Sequence, residues 1–429
     1  MARPSAIAEQ SSSRLEQIAL VTSLLVPLFL MHGHGIAEAL IAIVDACFLL
    51  RSAMLGEWGW VRQGWVPLAI AWWAWVLIAT TGMNPRSVGQ ALLVIRFPVF
   101  VAALEHFVLR GATARRWLRG VIAACAAWIT LNVLWQFATG WNLFGQHRGP
   151  AGELTGPFHK PRAGPPLSRI LLPVLIPPAA ALLARRQLWS TAAAYAILLG
   201  ATCVVVLINQ RMPLLLFVFG LVVAALLLER LRPVVVSAAA AGAILIAASV
   251  VISPYTHQRL VVQFSHQMEY FGSSPYGLLF ARAAEIARQH PLTGLGFDAF
   301  RYGCPEERYF RPSFDGVEPR GGEAAICAQH PHNPYLEALD NGGIPGLVLF
   351  AALVLAWMAP LTRELWRHPE PLRVGLFAVV LIQVWPIAST SAFTSLPMGG
   401  WFFLTLGWAL AESRHRSRPA SPSDLHRLG

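Results

Sequence analysis

The sequence predicts an all-α polytopic membrane protein, and three observations predict it. Of its 429 residues, 55% are hydrophobic and only 13% charged, about half the charged share of an ordinary soluble domain. Apolar stretches recur from one end of the chain to the other, many approaching the roughly 20 residues that a helix needs to cross a bilayer. Arginine collects in every second gap between them, the asymmetry that sets the orientation of membrane helices. Length alone would suggest about two or three soluble domains; the recurring apolar stretches predict a single membrane domain over residues 1–429 instead.

The predicted spans lie near residues 17–32, 35–51, 63–81, 88–109, 117–139, 165–184, 188–208, 212–229, 233–252, 341–359, 374–390 and 397–411, about twelve in all. The first apolar run, Ile18 to Met31, follows a polar start and has no small-residue cleavage site behind it, so it reads as a span and not as a cleaved signal. With Arg3 and Arg14 on the inner side, the inner loops hold Arg51 and Arg62; Arg110, Arg115, Arg116 and Arg119; Arg185 and Arg186; Arg230 and Arg232; and Arg363, Arg367 and Arg373. The tail adds Arg414, Arg416, Arg418 and Arg427. The short gaps on the other side are nearly bare of arginine, so both termini are predicted to be cytoplasmic.

Two segments on the outer side are substantial. Residues 140–164 are rich in Gly and Pro. Residues 253–340, between the ninth and tenth spans, are too many for a mere connection and predict a loop subdomain with a function of its own. Two amphipathic helices are expected in it, near Tyr255–Phe271 and Tyr276–His290. The second carries Leu279, Ala283, Ile286 and His290 along one face, and both suit the membrane interface.

The formal net charge is +11. In a soluble chain that would suggest nucleic acid, but here the arginines sit between apolar runs, where they meet lipid head groups. Membrane lipid is therefore the expected partner and nucleic acid is not. Cys47, Cys125 and Cys203 fall in apolar runs and read as small buried hydrophobes. Cys304 and Cys327 fall in the large loop; they form a disulfide or stay free thiols according to the compartment the loop faces.

The segment with most chemistry is His330-Pro331-His332-Asn333-Pro334-Tyr335-Leu336-Glu337. Asn333 is a good N-cap and Pro334 suits the first helical turn, so a short helix is predicted here, stopping near Asn341-Gly342-Gly343. His332 then lies just before a helix N-terminus, where free N–H groups and the positive dipole end favour a neutral imidazole and attract anions. Such an imidazole can take a proton beside a phosphate. The plainer reading is two loop histidines packed by polar contacts. His330 and His332 could also ligate a metal, but no acidic or histidine partner stands at a recognisable ligand spacing, so no metal and no cofactor is expected.

Asn209-Gln210-Arg211 sits at the arginine-poor junction of two spans, against the topological bias, and such ionisable residues are functional candidates. Arg282 and Arg288, with Glu285 between them, share one helix face; a solvated, salt-bridged face explains them as readily. Arg96 and Arg169 are weaker candidates. Gly294-Leu295-Gly296 is too slight a signal for a nucleotide loop.

Taken together, His330-x-His332-Asn333-x-x-Leu336, then Gly343-x-x-Gly346-Leu347, with Arg211 at the outer end of a span and Arg282 ahead of Pro291-Leu292-Thr293-Gly294-Leu295-Gly296-Phe297, resemble the O-antigen ligase and O-antigen polymerase family of bacterial envelope glycosyltransferases. The resemblance covers topology across the chain and distinctive motifs from Arg211 to Leu347. It departs from the family at Asn209-Gln210, where many relatives carry a small residue or serine, and Gly156-Pro157-Phe158-His159-Lys160 echoes a family turn only loosely.

The resemblance implies an inner-membrane enzyme with a periplasmic site that moves a glycan from an undecaprenyl diphosphate donor to an acceptor hydroxyl. In the ligase branch, which it favours, the acceptor is lipid A–core. The alternatives are a repeat-unit polymerase or a ligase acting on a protein such as pilin. It implies His332 as general base, Arg211 and Arg282 on the diphosphate with help from Arg288, and His330 and Asn333 shaping the turn. A single inverting displacement needs no metal, and the outer segments hold no Asp-x-Asp pair. A transporter or flippase is the reading from another class, hinted at by Asp45, Arg96 and Glu105.

Overall fold

The computed structural model describes residues 6–82, 85–312, 314, 316, 323–387 and 393–416. Arg3, Arg418, Arg427 and the last residues of the predicted span 374–390 lie outside the described residues. Among the described residues the regular structure is helical, with one isolated bridge between Trp141 and His147. Helices satisfy their own backbone groups, which the interior of a bilayer cannot do for them.

The helices are α1 (Ala6–His32), α2 (His34–Leu55), α3 (Val66–Thr80), α4 (Pro85–Leu93), α5 (Arg96–Ala103), α6 (Ala112–Thr139), α7 (Gly164–Ala184), α8 (Leu188–Leu207), α9 (Arg211–Leu227), α10 (Arg232–Ile252), α11 (Pro254–His257), α12 (Gln263–Glu269), α13 (Pro275–Gln289), α14 (Ala299–Gly303), α15 (Pro334–Thr362), α16 (Pro371–Val384) and α17 (Met398–Arg416). Seven stretches among the described residues are long and apolar enough to cross a membrane, and α3, α9 and α16 are shorter apolar helices. The chain is thus a multi-pass membrane protein in its helical content.

Helix α7 packs against α6, α8, α9 and α16. Small residues let the neighbours approach closely, the usual means of helix association where apolar surface gains nothing from leaving water. A Cβ on Gly375 of α16 would lie 2.9 Å from the Leu172 carbonyl, and one on Gly220 of α9 would meet the Leu172 side chain. Helix α17 closes the other flank through an aromatic cluster of Trp357, Phe393, Phe402 and Phe403.

Beyond α10 the chain runs through α11, a π-helical turn at Gln258–Val262, and α12, the first of the two expected amphipathic stretches. The second is α13, begun by Ser274, whose hydroxyl accepts from the Gly277 amide at 3.2 Å. Its apolar face, Leu279, Ala283 and Ile286, packs with Phe300, Cys304 and Tyr309 in a small core separate from that of the spans. Cys304 and Cys327 are joined by a disulfide.

The predicted stop at Asn341-Gly342-Gly343 is a kink: α15 continues to Thr362, with Gly343 at φ 64° and ψ −163°. The helix survives because its freed groups find partners in the Pro291–Gly296 turn. The Ile344 amide donates to the Pro291 carbonyl at 2.7 Å, and the Leu295 amide to the Asp340 carbonyl at 2.8 Å. The two backbones touch so closely that a Cβ on Gly343 would sit 2.5 Å from the Leu292 carbonyl carbon.

Candidate active site

The His330–Asn333 segment is fixed from both sides. Asn333 caps α15, its Oδ1 accepting from the Tyr335 and Leu336 amides at 2.9 and 3.1 Å. Its Nδ2 donates to the Pro386 carbonyl at 2.7 Å, and the Tyr335 hydroxyl donates to the Val384 carbonyl at 2.7 Å. The turn is therefore latched to the end of α16. Under these constraints His332 takes φ 56°, the left-handed region that side chains seldom adopt and that surroundings must enforce. Its ring meets the His330 ring edge-to-face at 4.4 Å and the Tyr276 ring at 5.6 Å.

His330 is largely enclosed, and its Nδ1 has no hydrogen-bond partner among the described residues. Burial, with His332 beside it, drives the His330 imidazole down to about 3. It is neutral at physiological pH, so it adds no positive charge next to His332.

Arg211 opens α9. Before it, Asn209 is buried at φ 62° and donates to the Ala151 carbonyl at 2.9 Å. Gln210 accepts from the Gly164 amide at 3.1 Å and donates to the Pro161 carbonyl at 2.6 Å. The Leu154 amide adds a bond to the Ile208 carbonyl at 3.2 Å. This junction therefore stitches the 140–164 segment onto the start of α9. The polar pair that departs from the family pattern has a structural task.

The Arg211 guanidinium donates to the Arg259 carbonyl at 2.8 Å and to the side-chain oxygens of Gln263, at 3.2 Å, and Gln267. Among the described residues no carboxylate lies within ion-pair distance of it. Its neighbour Arg259 pairs with Glu153 at 2.6 Å. Tyr276 lies within electrostatic reach of Arg211 and against the His332 ring. Tyr276, at the start of α13, thus touches the turn before α15 and lies within electrostatic reach of the start of α9.

Arg282 is 5% exposed. It donates to the Cys304 carbonyl, and its guanidinium lies 3.7 Å from the Phe310 ring centre. Arg288 forks onto Glu285 at 2.8 and 2.7 Å, and Arg311 reaches the same carboxylate at 3.1 Å. These hydrogen bonds and charges pull the Glu285 carboxyl down to about 2. These contacts of Arg282 and Arg288 are with other residues of the loop.

Arg96 pairs with Glu38 at 2.8 Å, and Arg169 is buried and donates to the Pro165 carbonyl at 2.8 Å. Each weaker candidate has a local partner. Among the described residues no three His, Cys, Asp or Glu side chains gather in a way that could hold a metal ion.

Sequence reasoning passed over Tyr276, Arg259 and the glutamines. The one available signal was Gln263 and Gln267, four apart and hence on one helix face. It also passed over Glu337 and Asp340, three apart after the His-x-His-Asn turn. Asp340 is wholly buried, both its carboxyl oxygens without a hydrogen-bond partner among the described residues.

Residues 180–351 match the O-antigen ligase family model. The match runs from the last turns of α7 into α15 and includes Arg211, Tyr276, Arg282 and His332. No curated protein matches the chain.

Proposed function

We propose that the protein is a glycosyltransferase of the O-antigen ligase kind, moving a glycan from undecaprenyl diphosphate to a sugar hydroxyl of lipid A–core at the periplasmic face of the inner membrane. The observation that carries this reading is the Arg211 guanidinium. Among the described residues no carboxylate pairs with it, it stands at the start of an apolar helix, and Tyr276, which lies against His332, is within its electrostatic reach. A diphosphate oxygen can take the place of the glutamine oxygens, with a stronger, charge-assisted bond at each arm of the fork.

In this reading His332 accepts the proton of the acceptor hydroxyl as its oxygen attacks the anomeric carbon. The bond from that carbon to the diphosphate breaks on the opposite side, and the electron pair leaves with the diphosphate. Arg211 stabilises the charge that develops there. A single displacement inverts the anomeric centre. Neutral His330 keeps the pocket free of a competing cation, and Asn333 holds the turn. Arg282 acts from the loop core, and Arg288 with Glu285 stiffens the exposed face of α13.

Deleting the gene and separating lipopolysaccharide on a gel tests the acceptor. Loss of all capped bands is expected. A ladder that stops at one repeat would mean a repeat-unit polymerase, and unchanged bands with unglycosylated pilin would mean a protein ligase. Transfer by pure protein in detergent, with no gradient, separates all three from a transporter.

A further inference from the structure

The bundle has a second feature at the end opposite Arg211 and His332. Helix α9 starts at the candidate site and ends at Leu227; α7 starts near it and ends at Ala184; α15 starts at it and ends at Thr362. Where these far ends meet the start of α6 and the start of α16 there is a cavity of about 780 Å³, well within the size range of sites that take small molecules.

Pro177, Ala181 and Leu226 line it with apolar surface, Arg119, Arg230 and Arg232 with guanidinium groups, and Glu229 and Glu370 with carboxyl groups. Arg232 is engaged with Glu229 at 3.4 Å and the Ala225 carbonyl at 3.2 Å. Arg119 and Arg230 have no hydrogen-bond or ion-pair partner among the described residues. Trp366, 68% exposed, also lines the cavity, and an indole of this kind suits the boundary between head groups and acyl chains.

We propose that this cavity is a binding site for an anionic phospholipid. The phosphate would sit between Arg119 and Arg230, and the start of an acyl chain would lie along Leu226 and Ala181. Charge complementarity selects the ligand. With Glu229 taken up by Arg232, the cavity keeps two guanidinium groups without ion-pair partners among the described residues against the one remaining carboxyl group, that of Glu370, beside apolar walls, and a phospholipid supplies both an anion and hydrocarbon. A basic hollow between the ends of membrane helices is a known way of holding such head groups. Scattered arginines on the same side would attract anionic lipid without selecting one bound molecule.

The test is native mass spectrometry of protein released from nanodiscs of equal phosphatidylglycerol and phosphatidylcholine. The double variant Arg119→Gln/Arg230→Gln is compared with Arg14→Gln/Arg62→Gln, which removes two exposed arginines elsewhere. Both pairs are exposed, and size-exclusion profiles check that each variant is folded. Wild type and the Arg14/Arg62 variant are expected to retain a bound phosphatidylglycerol. The Arg119/Arg230 variant is expected to retain about tenfold less, as loss of charge-assisted hydrogen bonds implies. Equal loss in both variants, equal retention of phosphatidylcholine by wild type, or displacement of the lipid by millimolar inorganic phosphate would each overturn the proposal.

Discussion

Two arginines of the family-matched segment look alike in sequence and stand in different surroundings. Arg211, at the mouth of α9, is held by neutral oxygens from Arg259, Gln263 and Gln267 and has no carboxylate beside it among the described residues. Arg282, inside the loop, is buried under Phe310 and pinned to the carbonyl of a disulfide cysteine. The first guanidinium has neutral partners that an anion can replace, whereas the second is packed within the loop. Motif spacing reports that an arginine is needed, and only the neighbours report why.

The comparison breaks most sharply at His332. If the seam between α9, α13 and α15 carries the chemistry, His332→Ala should slow glycan transfer by about 100- to 10,000-fold, the usual range for a lost general base, with thermal stability unchanged. Normal transfer would remove the seam from the mechanism. The loop core is sharpened by the disulfide between Cys304 and Cys327. Replacing both cysteines by serine is expected to cost about 3 kcal/mol of loop stability by the chain-entropy estimate, read as earlier thermal unfolding. Unfolding at the wild-type temperature would show that the loop core does not depend on it.

The contact between the regions is tested at Gly343, which takes a backbone conformation almost reserved for glycine. Gly343→Ala should cost at least about 1–3 kcal/mol from backbone strain alone. It should also lower transfer, because the kink sets the direction of the first turns of α15, which His332 precedes. A variant with wild-type melting would contradict that close packing.

The smallest effect is on pH. The Glu285 carboxyl, held down to about 2, contributes stability above the ordinary carboxylate range of roughly 4 that is lost as pH falls toward 2. His330, held down to about 3, resists a proton that the unfolded chain takes below roughly 6.5. Stability contributed there therefore falls as pH drops from about 6.5 toward 3. Both slopes run the same way, so hydrogen-exchange protection in the loop, taken relative to the intrinsic rate at each pH, should fall on acidification, first near the His330 turn and later in α13. His330→Asn should remove the earlier limb only, and an unchanged profile would count against the buried neutral histidine.

Much of this was legible in the sequence. The ends of α13 and the cap at Asn333 followed from periodicity and local chemistry, because those signals act over a few residues. The kink at Gly343 was read as a stop, since its survival depends on a turn some fifty residues earlier, at Pro291–Gly296. Tyr276 looked like one more amphipathic residue, because its place against His332 and within electrostatic reach of Arg211 depends on other elements. Asp340 gave no signal for the same reason: burial is a property of the assembled bundle.

The most direct test is single-turnover transfer by purified protein from a synthetic lipid-diphosphate donor, run beside thermal melting, for Arg211→Lys and Arg282→Lys. The expected result is a split. Arg211→Lys keeps its melting temperature and transfers at least about tenfold more slowly, because a point charge cannot replace the fork. Arg282→Lys melts earlier and transfers at the normal rate per folded molecule. The reverse pattern, or normal transfer by Arg211→Lys, would contradict the assignment of the diphosphate to the seam.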